Sequence, residues 1–392
     1  MHRQGMAMRF PEDVPTLTSG DVVLRAHRLD DVEGIVEQCN DPVSIEFTTA
    51  PLGYDAKMGR EWVTQQIPAA WQSGNARVFA IESTHADGQR RFSGSISLRD
   101  EGGSRAEIAF GAHPDIRGHG VVSTATRLLL DYGFAEFGFE NVIWMAAVGN
   151  EASRRVAWRN GFTFGGTLSC WLDHRGQLLD GWFGMLHRDD SRTPKTRWLE
   201  VSRLEGSGLV LRPVEALDEK RFLETTTDPE SLQWLGTIPL PRTPAAFRRK
   251  ELAERSVGPS NGSAVSWTFA DPGTDRYLGS LSMFGIDRLD YRSAELGYRT
   301  HPDSRGQGLL CRAIRLATSQ AFQRESEGGY GLERLSLGAG AGNTASQAVA
   351  RACGFTQTGR DRKCYDLYDG TVVDLIRFDL LKSEWEGDAS RQ

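Results

Sequence analysis

The chain has 392 residues, of which 39% are hydrophobic and 25% are charged, and its formal net charge is -6. This composition is typical of a globular protein and excludes a collagen-like or low-complexity chain, and the lack of a basic excess argues against a nucleic-acid partner. No apolar run is long enough for a transmembrane helix and the start lacks a signal-peptide pattern, so we expect a cytoplasmic protein without a membrane partner.

Hydrophobic spacing predicts the same series of elements in each half of the chain. In the first half, a strand over 21–25 precedes an acidic amphipathic helix over 30–39, an irregular stretch to residue 54 and a helix over 55–72. Three strands over 76–82, 91–98 and 106–112 follow, then a glycine turn, a helix over 123–137, a strand over 141–148, a helix over 151–159 and strands over 162–171 and 178–186. This order predicts an α+β fold with a mixed, mostly antiparallel sheet flanked by helices.

The sequence repeats itself over nearly its whole length. The stretch from His113 to Val122 reappears 188 positions later, from His301 to Leu310. A repeat this long indicates a duplicated domain, since the units of solenoids and propellers are much shorter. We therefore predict a flexible leader over 1–17, a first domain over 18–190, a linker over 191–207, a second domain over 208–385 and a tail over 386–392.

Each copy of the repeated stretch places a glycine-bearing turn between a strand and a helix. The turn covers 117–122 in the first half and 305–310 in the second half. Backbone N–H groups at the start of a helix point the same way and lie at the positive end of the helix dipole, which favours a bound phosphate. Glycine lets the backbone approach that phosphate closely. The sequence therefore predicts two candidate phosphate sites.

Three linked motifs, each present twice, resemble those of a known family. They are an Arg-x-x-Gly-x-(Gly/Ala) type of turn at 117–122 and 305–310, Asn-x-x-Ser followed by Gly-Phe at 150–162 and 343–355, and Val-Leu-Arg before an acidic helix at 23–25 and 210–212. On these motifs both halves resemble the GNAT superfamily of N-acetyltransferases, in its ribosomal-protein alanine N-acetyltransferase (RimJ/RimL-like) branch. The strict motif has a small residue where this chain has Val122 and Leu310. A larger side chain there either narrows the pyrophosphate site or points into the core.

The resemblance implies two tandem GNAT domains and acetyl-CoA-dependent acetylation of a primary amine, by direct transfer in a ternary complex. The backbone of each turn would bind the CoA pyrophosphate, while the preceding strand residues and an asparagine would hold the pantetheine arm. The cofactor-binding residues implied are Ala112, His113, Arg117, Gly118, His119, Gly120, Val121, Val122 and Asn150 in the first half, and Thr300, His301, Arg305, Gly306, Gln307, Gly308, Leu309, Leu310 and Asn343 in the second half.

Two pairs of residues are candidates for the acid and base that acetyl transfer requires. Glu107 and Glu295 lie where relatives place a base, and a partly buried carboxylate can have a raised pKa suited to that role. The alternative is a structural acid paired with an arginine. Ser153 and Ser346 resemble the serine that assists the departing thiolate, although a serine in a first helical turn can also be a backbone cap. His113 and His301 precede proline in both copies and could act as a base, but their position beside the turn favours a packing role.

Several alternatives remain open at this point. The acceptor is either a small-molecule metabolite or antibiotic, or a peptide N-terminus. The tandem could instead be a non-catalytic or half-active CoA-binding protein, or a transferase that uses aminoacyl-tRNA as donor, which would need a basic surface. The five cysteines show no metal-binding spacing, so we expect free thiols and no metal. A monomer or a homodimer is expected, and the first copy reads nearer to the pattern of the branch.

Overall fold

The computed structural model describes residues 13–235, 240–253, 255, 257–286 and 292–385. Most of the predicted leader and the whole predicted tail lie outside these residues. The chain divides into two compact units between Lys195 and Thr196, which we call the first and the second domain. Within the described ranges, no helix is both long enough and apolar enough to cross a membrane.

The first domain is an eight-stranded sheet flanked by helices. Its strands are β1 (Leu17–Ser19), β2 (Val22–Arg25), β3 (Ala76–Thr84), β4 (Arg90–Gly102), β5 (Arg105–Ala112), β6 (Asn141–Ala147), β7 (Thr163–His174) and β8 (Gln177–His187). Its helices are α1 (Val32–Asn40), α2 (Pro42–Phe47), α3 (Ala56–Glu61), α4 (Ile67–Ser73), α5 (Val121–Glu136) and α6 (Glu151–Arg159). The strand order is β1-β2-β3-β4-β5-β6-β8-β7, and β5 and β6 pair in parallel.

The second domain repeats this architecture. Its strands are β9 (Leu204–Gly206), β10 (Leu209–Arg212), β11 (Ala264–Ala270), β12 (Tyr277–Phe284), β13 (Ser293–Thr300), β14 (Arg334–Gly340), β15 (Thr356–Asp366) and β16 (Val372–Leu381). Its described helices are α7 (Glu219–Thr227), α8 (Pro229–Trp234), α9 (Pro244–Phe247), α10 (Val257–Asn261), α11 (Leu309–Phe322) and α12 (Thr344–Ala352). The strand order is β9-β10-β11-β12-β13-β14-β16-β15, with β13 and β14 parallel. The predicted α+β class with two mixed sheets is confirmed.

The Val-Leu-Arg motif is explained by a buried ion pair in each domain. The guanidinium of Arg25 lies 2.8 Å from Asp31, and that of Arg212 lies 2.9 Å from Asp218. Both aspartates stand just before the helix that follows the motif, namely α1 and α7. A charge pair buried in this way needs its partner, because removing one member leaves an uncompensated charge. The motif therefore joins β2 to α1 in the first domain and β10 to α7 in the second domain.

One helix of each domain was not predicted from the sequence. The stretch after Asp41, expected to be irregular, forms α2. The side chain of Asp41 accepts a hydrogen bond from the Ser44 amide at 3.0 Å, and Pro42 occupies the first helical turn. These are strong local signals for a helix start, but six residues are too few to show helical periodicity. The same Asp-Pro pair begins α8 in the second domain.

The segment predicted as a linker, 191–207, packs against the two domains. Leu199 is 3% exposed and belongs to the core of the second domain, and Leu204–Gly206 form strand β9. In the first domain, a Cβ on Gly161 would lie 2.2 Å from the Ser191 carbonyl oxygen. The polar composition of the segment predicted a linker in which residues 196–204 could pack on either half, and these residues lie with the second domain.

All five cysteines are free thiols. Cys353 is buried, and its sulfur lies 2.7 Å from that of Cys311. This contact and burial raise the pKa of Cys353 far above its usual range. A thiol that stays protonated is a poor nucleophile, so Cys353 serves as a packing residue.

Candidate active site

The glycine turn of each domain opens directly into the helix that follows it. Gly118 and Gly120 have φ angles of 81° and 79°, and Gly306 and Gly308 have φ angles of 71° and 69°, all in the left-handed region. A Cβ at any of the four positions would meet nothing within 4 Å, so conformation and not packing requires glycine. First-turn amides of a helix have no intrahelical acceptors. Both turns therefore direct N–H donors into open space, as a phosphate site requires.

The arginine of each turn holds the turn against a neighbouring helix. Arg117 donates to Asp41 at 2.5 Å and to Ser44 at 3.1 Å, and Arg305 makes the same contacts with Asp228 at 2.6 Å and Ser231 at 2.8 Å. The hydrogen bond from Arg117 is the main cause of a lowered pKa at Asp41. Each arginine side chain is thus committed to anchoring α2 or α8, which leaves phosphate binding to the backbone of the turn.

The histidine before each turn is also a packing residue. His113 and His301 are 3% and 7% exposed. Their Nε2 atoms lie 2.9 Å from Glu37 and 3.0 Å from Glu224, on α1 and α7. Their backbone amides donate to the neighbouring strand, so they are not available to a pantetheine arm. The amides of these two histidines are therefore paired within the sheet.

Strands β5 and β6 diverge towards the glycine turn and open a cleft in the first domain. They pair from Arg105 with Asn141 to Ile108 with Trp144, after which β5 runs on to Ala112. The cleft between their ends has a volume of about 470 Å³. The predicted residues that line it are Glu107, Ala112, Arg117, Gly118, Gly120, Val121, Val122, Asn150 and Ser153. One cavity therefore connects the phosphate site with both candidate catalytic residues of the first domain.

His119 lies apart from the cleft that holds the other residues of the first turn. It lines a separate cavity of about 560 Å³ together with residues of the β1–β2 hairpin. In the second domain the side chain of Gln307, at the same position of the turn, donates to the carbonyl oxygen of Asp303 at 2.8 Å. His119 therefore lines a cavity other than the cleft. Gln307, at the same position in the second domain, forms a hydrogen bond within its own turn.

The positions that depart from the strict motif contribute to the cores. Val122 is 8% exposed, and Leu310 packs against the core of the second domain. Leu309, the first residue of α11, is 8% exposed, and Thr300 ends β13 opposite Gly279. The larger side chains are thus accommodated by the core, and the turn itself stays open.

Glu107 has the properties expected of a general base. Its side chain is 15% exposed and lies 3.4 Å from Arg99. Burial raises the pKa of Glu107, and the charge of Arg99 partly offsets this effect. The counterpart Glu295 is 34% exposed and lies 3.7 Å from Arg377. Both glutamates therefore have an arginine partner. Glu107 is the more buried of the two, and it lines the cleft.

Asn150 and Ser153 form the start of α6. The side chain of Asn150 accepts a hydrogen bond from the Ser153 amide at 3.1 Å, which makes Asn150 the helix cap. The Ser153 hydroxyl accepts a hydrogen bond from the Trp144 indole at 2.9 Å. Because an indole N–H can only donate, the hydroxyl proton of Ser153 remains available to a further acceptor. Ser153 can therefore donate to an atom in the cleft.

Ser346 in the second domain has a different partner. Asn343 caps α12 through the Ser346 amide at 3.0 Å, as Asn150 does in α6. The Ser346 hydroxyl, however, lies 2.9 Å from the hydroxyl of Tyr298, and burial raises the pKa of that tyrosine to about 12. Phe110 stands at the position of Tyr298 in the first domain and lines its cleft. The tyrosine therefore joins β13 to α12 across the region that corresponds to the cleft.

A tryptophan covers the end of β14 in the second domain. The ring of Trp234 lies 3.0 Å from the position of a Cβ on Gly342 and 3.2 Å from that on Gly340. The Tyr365 hydroxyl donates to the Trp234 carbonyl oxygen at 2.5 Å and fixes the end of α8. In the first domain, Phe47 stands at the position of Trp234, and a Cβ on Gly149 would meet nothing within 4 Å. The surface beyond the strand is therefore open in the first domain and covered in the second.

Two arginines of the cleft belong to no motif that marks them in the sequence. Arg155 and Arg159 on α6 line it. The aligned positions of the second domain are Ala348 and Ala352. Comparing the two repeats position by position, and not only their shared motifs, would have shown this difference in charge.

The fold, the turn and the cleft define an acyltransferase of the GNAT type, and comparison with known proteins gives the same result. The family described as "Acetyltransferase (GNAT) domain" matches residues 21–163 and again 208–356. The chain therefore belongs to this family, and it is an N-acetyltransferase.

Individual relatives match about one domain's length of the chain. A Bacillus subtilis protein named "Putative ribosomal N-acetyltransferase YdaF" is 36% identical over 185 residues, which cover 46% of this chain and 94% of that protein. An N-acetyltransferase p20 of Bacillus licheniformis is 25% identical over 46% of this chain and 96% of its own length. The solved structure of Mycobacterium smegmatis RimJ with CoA-disulfide is 19% identical over 48% of this chain and 90% of that chain, with a TM-score of 0.42. The predicted resemblance to the ribosomal-protein branch is confirmed.

Proposed function

We propose that the first domain transfers the acetyl group of acetyl-CoA to a primary amine, and that the second domain does not catalyse this reaction. The observation that carries the proposal is the cleft of about 470 Å³, which runs from the glycine turn to Glu107 and Ser153. Arg155 and Arg159 add positive charge to its cofactor end. Such a cavity can hold a phosphate group at one end and a thioester between two diverging strands.

The residues of the cleft supply the groups that direct transfer needs. The amine attacks the thioester carbonyl carbon, a C–N bond forms, and Glu107 accepts the proton that leaves the nitrogen, directly or through a water molecule. Main-chain N–H groups at the open end of β5 bind the developing oxyanion. The C–S bond then breaks, and the Ser153 hydroxyl donates a hydrogen bond to the departing sulfur. The indole of Trp144 holds Ser153 in the orientation for this step.

We propose a peptide or protein N-terminus as the acceptor. The relative that is 36% identical is named a ribosomal N-acetyltransferase, which favours a protein acceptor over a small metabolite or antibiotic. The acceptor end of the cleft has apolar side chains, among them Phe47, Leu172 and Leu179, with Asp173 beside them. An apolar wall suits the first side chains of a peptide, while a carboxylate attracts its terminal ammonium group.

The second domain serves, in this proposal, as a support and not as a second catalyst. Three observations favour this half-active arrangement: the Tyr298–Ser346 contact at 2.9 Å, the Trp234 ring over Gly342, and alanines at the positions of the two cleft arginines. The tyrosine engages Ser346, the tryptophan covers the end of β14, and the alanines lack the positive charge of the arginines.

A turnover assay with the whole chain tests the proposal. The chain is mixed with acetyl-CoA and with peptides that have either a free or a blocked N-terminus, and the products are identified by mass spectrometry. We expect acetylation of the free N-termini alone and no product when aminoacyl-tRNA replaces acetyl-CoA. Acetylation of small amines but of no peptide would overturn the acceptor class, and no product with any amine would overturn the function.

A further inference from the structure

Three potential metal ligands meet beside the glycine turn of the first domain, outside the cleft. They are His85, which follows β3, with His113 and Asp115, which follow β5, and their ligand atoms all lie within 4.8 Å of one another. The histidines are 5% and 3% exposed, whereas the Asp115 side chain is about half exposed. His85 and Asp115 also line the separate cavity of about 560 Å³. The cluster is therefore buried on one side and open to a small molecule on the other.

The contacts of His85 leave one ring nitrogen unpaired and directed into the cluster. Its Nε2 lies 3.2 Å from the Phe92 carbonyl oxygen and 3.1 Å from the Ser93 hydroxyl. A carbonyl oxygen only accepts, so Nε2 carries the hydrogen and Nδ1 of the neutral ring presents a lone pair. This Nδ1 is buried, has no hydrogen-bond partner among the described residues, and lies 3.6 Å from the Asp115 carboxylate.

His113 presents a lone pair in the same direction. Its Nε2 lies 2.9 Å from the Glu37 carboxylate, which only accepts when ionised, so the hydrogen is on Nε2. Its Nδ1 lies 3.7 Å from the Asp115 carboxylate, and its lone pair accepts a long hydrogen bond of 3.3 Å from the Asp115 amide, which a metal at this nitrogen would replace. A histidine oriented by a carboxylate on its far nitrogen is the usual arrangement around protein-bound metals.

The second domain fills the corresponding position with a cation of its own. The guanidinium of Arg221 donates to His301 Nδ1 at 3.0 Å and to Asp303 at 2.6 Å. Gly34 stands at the position of Arg221 in the first domain, so this guanidinium is missing there. Arg91 lies 3.4 Å from Asp115, but it reaches the carboxylate and not the imidazoles, and it also pairs with Asp87 at 2.6 Å.

We propose that His85 Nδ1, His113 Nδ1 and Asp115 bind one divalent transition-metal ion of the zinc type. Bonds of 2.0 to 2.1 Å in a tetrahedral site place the ligand atoms roughly 3.3 Å apart. The two distances to Asp115, 3.6 and 3.7 Å, are close to that value. Two imidazoles and one carboxylate suit zinc, and the open cavity leaves the fourth position to water.

A metal at this site would fix the cofactor turn from outside the cleft. Asp115 lies in the short helical turn Pro114–Ile116, directly before Arg117. Binding joins that turn to the end of β3, where His85 stands. The sequence analysis predicted no metal because the ligands come from two separate strand ends and show no short spacing.

Calorimetric titration of chelator-treated whole chain with Zn²⁺ tests the site, with Co²⁺ absorption spectra as a second readout. We expect one tight equivalent and a tetrahedral cobalt spectrum. His85→Asn and Asp115→Asn should each weaken binding roughly tenfold or more. Asp303→Asn, the matched change in the second domain, should leave zinc binding unchanged.

Two results would overturn the metal site. One is the absence of tight zinc binding by the wild-type chain, which would mean that the three side chains do not form a metal site. The other is tight binding that persists in both His85→Asn and Asp115→Asn, which would place the ion elsewhere. Asp115 is half exposed, so its variant reports on the site even if loss of His85 disturbs folding.

Discussion

The two domains have the same fold and the same glycine turn, yet they differ at the residues that line the opening between the parallel strands. The first domain has Phe110, Phe47 and two arginines at positions where the second has Tyr298, Trp234 and two alanines. The first domain has an open cleft. In the second domain a tyrosine engages the serine and a tryptophan covers the strand end. The motif is therefore intact in both domains, while the residues around the opening between the parallel strands differ.

The contacts that the two domains share explain why the motif is present in both. Arg117 and Arg305 anchor the turn to a short helix, and His113 and His301 bond to a glutamate of the preceding helix. These contacts hold the fold together whether or not a ligand binds. The shared motif therefore reflects the scaffold, and the unshared residues are the basis of our proposal that the first domain is the catalytic one.

The largest difference between the domains is expected at the two glutamates. Glu107→Gln removes the proposed base and should lower kcat/KM by roughly 100-fold, within the usual contribution of general acid–base catalysis. Glu295→Gln should leave peptide acetylation unchanged. Steady-state rates of both variants, with circular dichroism to verify folding, check this prediction. Equal losses in the two variants would show that both domains turn over.

Loss of the serine hydroxyl should also lower the rate in the first domain only, by a smaller factor than loss of the glutamate. Ser153→Ala removes the donor to the departing sulfur, and since a thiolate leaves readily we expect kcat to fall roughly 10-fold with little change in KM. Ser346→Ala removes a hydroxyl that already pairs with Tyr298 and should not alter kcat. If Ser153→Ala raised KM and left kcat unchanged, Ser153 would serve only at the start of the helix and not in catalysis.

The charge difference in the cofactor end of the cleft is expected to appear in KM. Replacing Arg155 and Arg159 by alanine, as in the second domain, should raise KM for acetyl-CoA roughly 10-fold, because each lost charge–phosphate contact weakens binding. The effect should shrink at high ionic strength, where exposed charges are screened. If KM stays constant while kcat falls, the arginines act on the chemistry and not on cofactor binding.

The smallest effect is a shift of the pH profile. Burial raises the pKa of Glu107 and Arg99 lowers it, so Arg99→Gln should raise that pKa further. The base must be ionised, so the acid limb of kcat/KM should move to higher pH, by roughly half a unit because Arg99 is well exposed. The rate should recover at alkaline pH. In Glu107→Gln the limb due to this carboxylate should be absent, and a shift that persists there would assign the limb to another group.

Much of the fold could be predicted from the sequence because its signals are local. Helix α6 was predicted at both ends, since Asn150 caps its start and Gly161 follows its end, and the strands show apolar alternation. Helix α2 was missed because its six residues are too few to show a helical hydrophobic periodicity. For the predicted linker, the sequence left open on which half residues 196–204 pack, because the burial of Leu199 depends on residues far away in the sequence.

The candidate site was predictable only where a motif marks it. The glycine turns and the Asn-x-x-Ser pairs were located by resemblance. The partners of Arg117 and His113 come from α1 and α2, and no sequence pattern pairs residues so far apart. The contacts of Tyr298 and Trp234 depend on how the helices pack, although a position-by-position alignment of the repeats would show that Phe110 and Phe47 are their counterparts.

Calorimetric titration of acetyl-CoA into the whole chain tests the central claim most directly, that the first domain alone is the acetyltransferase. It is repeated with Gly120→Trp and Gly308→Trp, two changes at matched positions with φ angles of 79° and 69°. We predict one binding site in the wild-type chain, lost in Gly120→Trp and retained in Gly308→Trp. A single site that is lost in Gly308→Trp and retained in Gly120→Trp would contradict this assignment, whereas a second site would show only that the other domain also binds the cofactor.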